Sequence, residues 1–198
     1  SILISHYRGQ EKSTAAIGEL VRNGFWLALV LAIPCHFILW NIDKVLYFFG
    51  QDPMLISLTV GYFHIAGFSV FPVLIITVIN QFFTGINNPR FLMFVSFITV
   101  PLIVLLSYGL ILGNFGLPML GLAGVMGATI IVQSMLCIGM LLYLMLSHRM
   151  KKYAIFTGSL LPKFELCKKI FFLGMPIGIQ FGGELAAMTI ATYFMGYF

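Results

Sequence analysis

Apolar runs long enough to cross a bilayer alternate along this chain with short polar breaks. Gly24 to Trp40 is apolar between Arg22 and Asp43, and Met54 to Gly85 is apolar between Asp52 and the polar stretch Asn87-Asn-Pro-Arg90. Phe91 to His148 holds no Asp, Glu, Lys or Arg, and Ile170 to Phe198 holds only Glu184. A spanning helix needs about 20 mostly apolar residues. Met54 to Gly85 is too long for one straight span and too short for two with a turn, so it predicts a single helix bent at Pro72. The segment Gly113-Asn-Phe-Gly-Leu-Pro-Met-Leu-Gly121 divides Phe91 to His148 into two helices. The pattern therefore predicts five spans, with Ser1 to Tyr7 as the tail of a preceding helix.

Composition moves the picture from buried core to membrane. The chain is 60% hydrophobic and 9% charged with a mean hydropathy of +1.03, far from the usage of soluble domains. The expected fold class is all-α, a polytopic transmembrane helix bundle. The net charge of +5 comes from the breaks between spans and forms no basic face with stacking aromatics, so nucleic acid is not an expected partner. The lipid bilayer is. Cys35, Cys137 and Cys167 are far apart and carry no ligand set, which leaves no zinc or redox motif.

The basic residues also predict orientation. Arg8, Lys12 and Arg22 precede the first span, Arg90 follows the second, and Arg149, Lys151, Lys152, Lys163, Lys168 and Lys169 follow the fourth. Only Lys44, of the eleven basic residues, falls in the alternate set of loops. Short cytoplasmic loops carry the excess of Lys and Arg, so the basic side is expected to be cytoplasmic. Trp26 and Trp40 are about 21 Å apart along a helix, which suits either interfacial anchors or interhelical packing. Ser147 to Lys169 reads as a cytoplasmic linker between two bundles, with interfacial character over Leu160 to Lys169.

Candidate chemistry concentrates in the last span. Gly174, Gly178, Gly182 and Ala186 recur every four residues and form a small-residue ridge for close helix packing. Glu184 lies about 200° around the helix from Gly182, with Gln180 one turn before it. Uncharged residues flank Glu184 for about 14 positions on each side, or some 21 Å, too far for its short side chain to reach an interface. An ionised carboxylate at that depth is costly unless paired, hydrated or neutralised, which makes Glu184 a candidate reversible proton or cation site and Gln180 a candidate cavity-lining residue. Pro176 adds an opened backbone carbonyl. The alternative is a protonated Glu184 that hydrogen-bonds a neighbouring helix for packing alone. His36 and His64 suit polar positions near the outer interface better than a proton relay. Asn80, Gln81, Tyr108 and Gln133 are either cavity-lining or interhelical hydrogen-bonding residues.

Several segments together are similar to the multidrug and toxic compound extrusion (MATE) transporters, in particular their NorM-like bacterial branch. The resemblance rests on Tyr7-Arg-Gly-Gln10, Phe49-Gly-Gln-Asp-Pro53, Gly85-Ile-Asn-Asn-Pro-Arg90, Gly116-Leu-Pro-Met-Leu-Gly-Leu-Ala-Gly124, and Leu173-Gly-Met-Pro-Ile-Gly178 leading to Glu184. It implies a twelve-helix, two-lobe carrier. Residues 1–147 then belong to the N-terminal lobe (the end of its second helix and helices three to six), 148–169 to the inter-lobe linker, and 170–198 to the first helix of the C-terminal lobe. Helix one and helices eight to twelve are not in this sequence, which is expected to be a piece of a longer protein. The resemblance further implies an antiporter of the inner membrane, coupled to H+ or Na+ with no other cofactor, that exports amphipathic, often cationic compounds. Glu184 matches the family's acidic residue in helix seven. The alternatives are a lipid-linked saccharide flippase of related fold, disfavoured because these spans offer no Arg or Lys to a cavity, and a truncated gene product that transports nothing. An intramembrane enzyme is not expected, since no HExxH, GxSxG or paired carboxylate occurs.

Overall fold

A computed structural model describes residues 2–10, 14–48, 50–113, 116, 118–119, 121–157 and 161–197. Lys12, Phe49, Leu160 and part of the Gly113–Gly121 turn lie outside the described residues. The chain forms two compact units, Ser1–Leu160 and Leu161–Phe198. The first contains α1 (Ile2–Gly9), α2 (Thr14–Trp40), α3 (Ile42–Phe48), α4 (Pro53–Gly85), α5 (Pro89–Leu112), α6 (Leu122–Leu146) and the single turn α7 (His148–Lys151). The second is one helix, α8 (Phe164–Tyr197). Five helices, α2, α4, α5, α6 and α8, are long and apolar enough to cross a membrane, as the apolar runs predict.

Helix ends follow local chemistry. Asp52 caps α4 by accepting from the Met54 amide at 2.8 Å, and Pro53 occupies the first turn, where its missing N–H costs nothing. Gly113 ends α5 in the left-handed region at φ 71°. Pro89 opens α5. The segment Met54 to Gly85 is one continuous helix through Pro72, since a proline inside a span removes one backbone bond without ending the helix.

Within the first unit α4 is central, packing on α2 along one side and on α6 along another, while α5 packs on α6. Helices α2 and α4 run antiparallel and approach where side chains are missing: a Cβ on Gly24 would lie 3.1 Å from a Val78 methyl, and one on Gly67 would lie 3.3 Å from the His36 ring. A Cβ on Gly124 would lie 2.8 Å from the Leu110 carbonyl oxygen, which fixes the α5–α6 crossing. At the end where α4 finishes, Phe82 and Phe83 are fully buried. Phe83 stacks on Phe91 at 4.4 Å, Phe91 on Tyr143 at 4.6 Å, and Phe82 meets Tyr153 edge-on at 5.2 Å.

Two sequence-based boundaries are corrected. The first span begins at Thr14 rather than Gly24: Glu19 and Arg22 lie inside α2, where Ile17, Gly18, Leu20 and Val21 are buried. The charge of Arg22 is accommodated because its Nη1 donates to the carbonyls of Ala154 (2.8 Å) and Ile155 (3.2 Å). The segment read from sequence as a linker, Ser147 to Lys169, has its first part docked and its last part inside α8. Met150, Tyr153 and Ile155 are buried in the first unit, and α8 already begins at Phe164.

Candidate functional site

Helix α8 carries the candidate carboxylate, and its charged and polar side chains fall at separate places along its length. Glu165, Lys168 and Lys169 occupy its first turns, with Glu165 favourably near the positive end of the helix dipole. The Leu166 and Cys167 amides donate to the Lys163 carbonyl at 3.0 Å. Lys168 Nζ lies over the Phe172 ring at 5.9 Å. Beyond Lys169 the helix is apolar apart from a few polar side chains. Thr189 and Thr192 satisfy their hydroxyls on their own helix, donating to the Leu185 and Met188 carbonyls at 2.8 and 2.9 Å.

Gln180 and Glu184 behave differently. Gln180 Nε2 donates to Glu184 Oε1 at 3.3 Å, a one-turn contact between the two positions singled out from the sequence. One long hydrogen bond uses little of a carboxylate's acceptor capacity, which extends to about four lone-pair positions. The amide orients the carboxylate and leaves it able to take a proton or a cation. From Lys169 to Glu184 the rise along the helix is about 22 Å, so with Lys169 at the membrane surface the carboxylate falls within a hydrocarbon core of about 30 Å.

Pro176 leaves α8 unbroken. The carbonyl it frees is that of Phe172, about 18 Å along the axis from Glu184, so it is not part of the carboxylate's surroundings, contrary to the expectation from sequence.

The remaining candidates lie in the first unit and are not brought to one place. His36 Nδ1 donates to the Gly67 carbonyl and His64 Nε2 to the Trp40 carbonyl, both at 3.0 Å. Trp40 stacks on His64 at 4.7 Å and on His36 at 5.8 Å. Both histidines thus pin α2 to α4, and Trp40 is part of the same packing. The carbonyl of Asn80 accepts from Thr84 Oγ1 at 2.8 Å, and Tyr108 is exposed. Gln133 Oε1 and Ser107 Oγ are buried without a hydrogen-bond partner among the described residues. Ser107 was not singled out from sequence, because one serine in an apolar helix carries no signal until its neighbours are known. Among the described residues no three His, Cys, Asp or Glu side chains come together as metal ligands.

Comparison with known proteins places this geometry. The MatE family model matches residues 1–109. The chain is 30% identical over 192 residues to a probable multidrug resistance protein NorM of Rhizobium meliloti, covering 96% of this chain and 40% of that one. It is likewise 30% identical over 182 residues to a protein of the same description from Pseudomonas aeruginosa, covering 92% and 37%. It therefore spans about 40% of the length of the curated relatives it matches. A crystal structure of the eukaryotic MATE transporter AtDTX14 superposes with a TM-score of 0.73 at 20% identity, over 88% of this chain and 37% of that one. That superposition shows a shared fold.

Proposed function

The chain belongs to the MatE family, a family of membrane transporters rather than enzymes, and on that premise we propose that it works as part of a cation-coupled antiporter for multidrug efflux. Glu184 is the coupling site, and Gln180 orients its carboxylate. The observation that carries this reading is the pair itself: one acidic side chain deep in a spanning helix, held at 3.3 Å by an amide one turn away, with acceptor capacity left over. Nature rarely keeps an ionisable side chain at that depth without a functional role.

Binding of H+ or Na+ at Glu184 neutralises the carboxylate, and an amphipathic, often cationic compound competes for the same negative charge. Exclusive occupancy by cation or substrate couples inward cation movement to outward export. Two lobes rocking about a site near the membrane midplane would provide alternating access. The basic end of the first unit faces the cytoplasm of an inner-membrane carrier, by the asymmetry of its Lys and Arg.

The test is Glu184→Gln in the gene as it stands in its genome, expressed in a drug-sensitive host. Efflux of a fluorescent organic cation should fall to the vector background while the membrane level stays at the wild-type value, and Glu184→Asp should restore part of it. Undiminished efflux in Glu184→Gln at equal membrane level removes Glu184 from the mechanism.

A further inference from the structure

The first unit keeps its charges apart at its two ends. Lys44, Asp43 and Asp52 lie where α2 ends and α4 begins, whereas Arg8, Arg22, Arg90, Arg149, Lys151 and Lys152 lie at the other end, with Glu19 as the carboxylate there among the described residues. Two of those cations serve the protein itself: Arg8 donates to the Ile86 carbonyl at 2.6 Å and Arg22 to the carbonyls of Ala154 and Ile155. Arg149, Lys151 and Lys152 are exposed.

These three sit on a turn that is fixed rather than loose. Met150, Tyr153 and Ile155 are buried, the Met150 and Lys151 amides donate to the Ser147 carbonyl at 2.9 and 3.1 Å, and the Lys152 ammonium lies 5.1 Å from the Tyr153 ring centre. Immediately before the turn, Leu142, Met145 and Leu146 are exposed on the last turns of α6, spaced three and four apart and so on one helix face. An apolar strip in a spanning helix thus runs up to three cations at the level where the span ends.

We infer that this turn is a docking site for the headgroup of an anionic phospholipid. The phosphodiester is attracted by the summed charge of Arg149, Lys151 and Lys152, and the acyl chains lie along Leu142, Met145 and Leu146. A choline headgroup is a poor match because its own cation meets three more. Free phosphate is a poor match because it makes no use of the apolar strip. Each cation close to an anionic membrane surface contributes about fivefold in affinity.

The purified protein in neutral detergent, titrated with phosphatidylglycerol or phosphatidylcholine and read by native mass spectrometry, tests the site. Wild type should retain phosphatidylglycerol over phosphatidylcholine. The combined variant Arg149→Gln, Lys151→Gln, Lys152→Gln should lose at least tenfold in phosphatidylglycerol retention with phosphatidylcholine unchanged, and Lys44→Gln at the opposite end should change neither. Lys151→Gln alone should lose about fivefold with an unaltered melting temperature, which serves if the combined variant does not survive purification. Wild-type retention in these variants, equal retention of both lipids, or displacement by inorganic phosphate at matched concentration overturns the proposal.

Discussion

Gly18 and Glu184 mark the extremes of what a residue's own chemistry discloses. Glu184 is conspicuous in the sequence because charge and hydrocarbon conflict, and the structure adds only its partner, Gln180. Gly18 gives no signal in the sequence. Its requirement comes from a long-range approach, in which a Cβ would collide with the Tyr153 carbonyl oxygen. That obstacle is backbone already held by the Arg22 guanidinium and by buried Tyr153 and Ile155, so it cannot move aside cheaply. Gly18→Val should cost at least about 2 kcal/mol and lower the melting temperature in detergent. Gly61→Ala, where a Cβ meets nothing within 4 Å, should stay within about 0.5 kcal/mol. Equal melting temperatures for the two would mean that the turn does not rest on α2.

Elements were legible where polarity and helix chemistry agree. The five spans follow from uninterrupted apolar length, and Gly113 and Gly121 bound the break between α5 and α6 because each takes a positive φ. The start of α2 was not legible, since Glu19 and Arg22 look like a loop until the carbonyls of Ala154 and Ile155 are seen to receive the guanidinium. The docked turn was hidden for the same reason: Met150, Tyr153 and Ile155 are spaced like a polar linker's stray apolar residues. At this scale the end of α4 is the firmest point. Phe83 is fully buried between Phe91 and Tyr143, so Phe83→Ala leaves a cavity among rings and should cost about 3 kcal/mol or more. Phe97, 82% exposed on α5, should tolerate alanine within about 0.5 kcal/mol. Chemical unfolding of the two variants in detergent separates them.

For the whole molecule, sequence and structure agree on a multi-pass helical membrane protein whose first unit collects all its described Lys and Arg residues except Lys44 at one end. If that end is cytoplasmic, then in a background without Cys35, Cys137 and Cys167 a membrane-impermeant maleimide applied to intact cells should label Asp52→Cys and leave Lys151→Cys unlabelled until the cells are opened. Labelling of Lys151→Cys from outside would invert the orientation. The surroundings of Glu184 beyond α8 were not legible from the sequence, because a carboxylate's neighbours come from helices brought close only by folding. The proposed coupling role is open to direct measurement. The protein encoded by the complete gene would be reconstituted in proteoliposomes, and substrate-dependent cation movement recorded with an internal pH indicator in one series and with radioactive sodium in another. Wild type should show flux of one of these cations that depends on substrate, and Glu184→Gln should show neither. Substrate-dependent flux at the wild-type rate in Glu184→Gln would contradict the assignment of Glu184 as the coupling site.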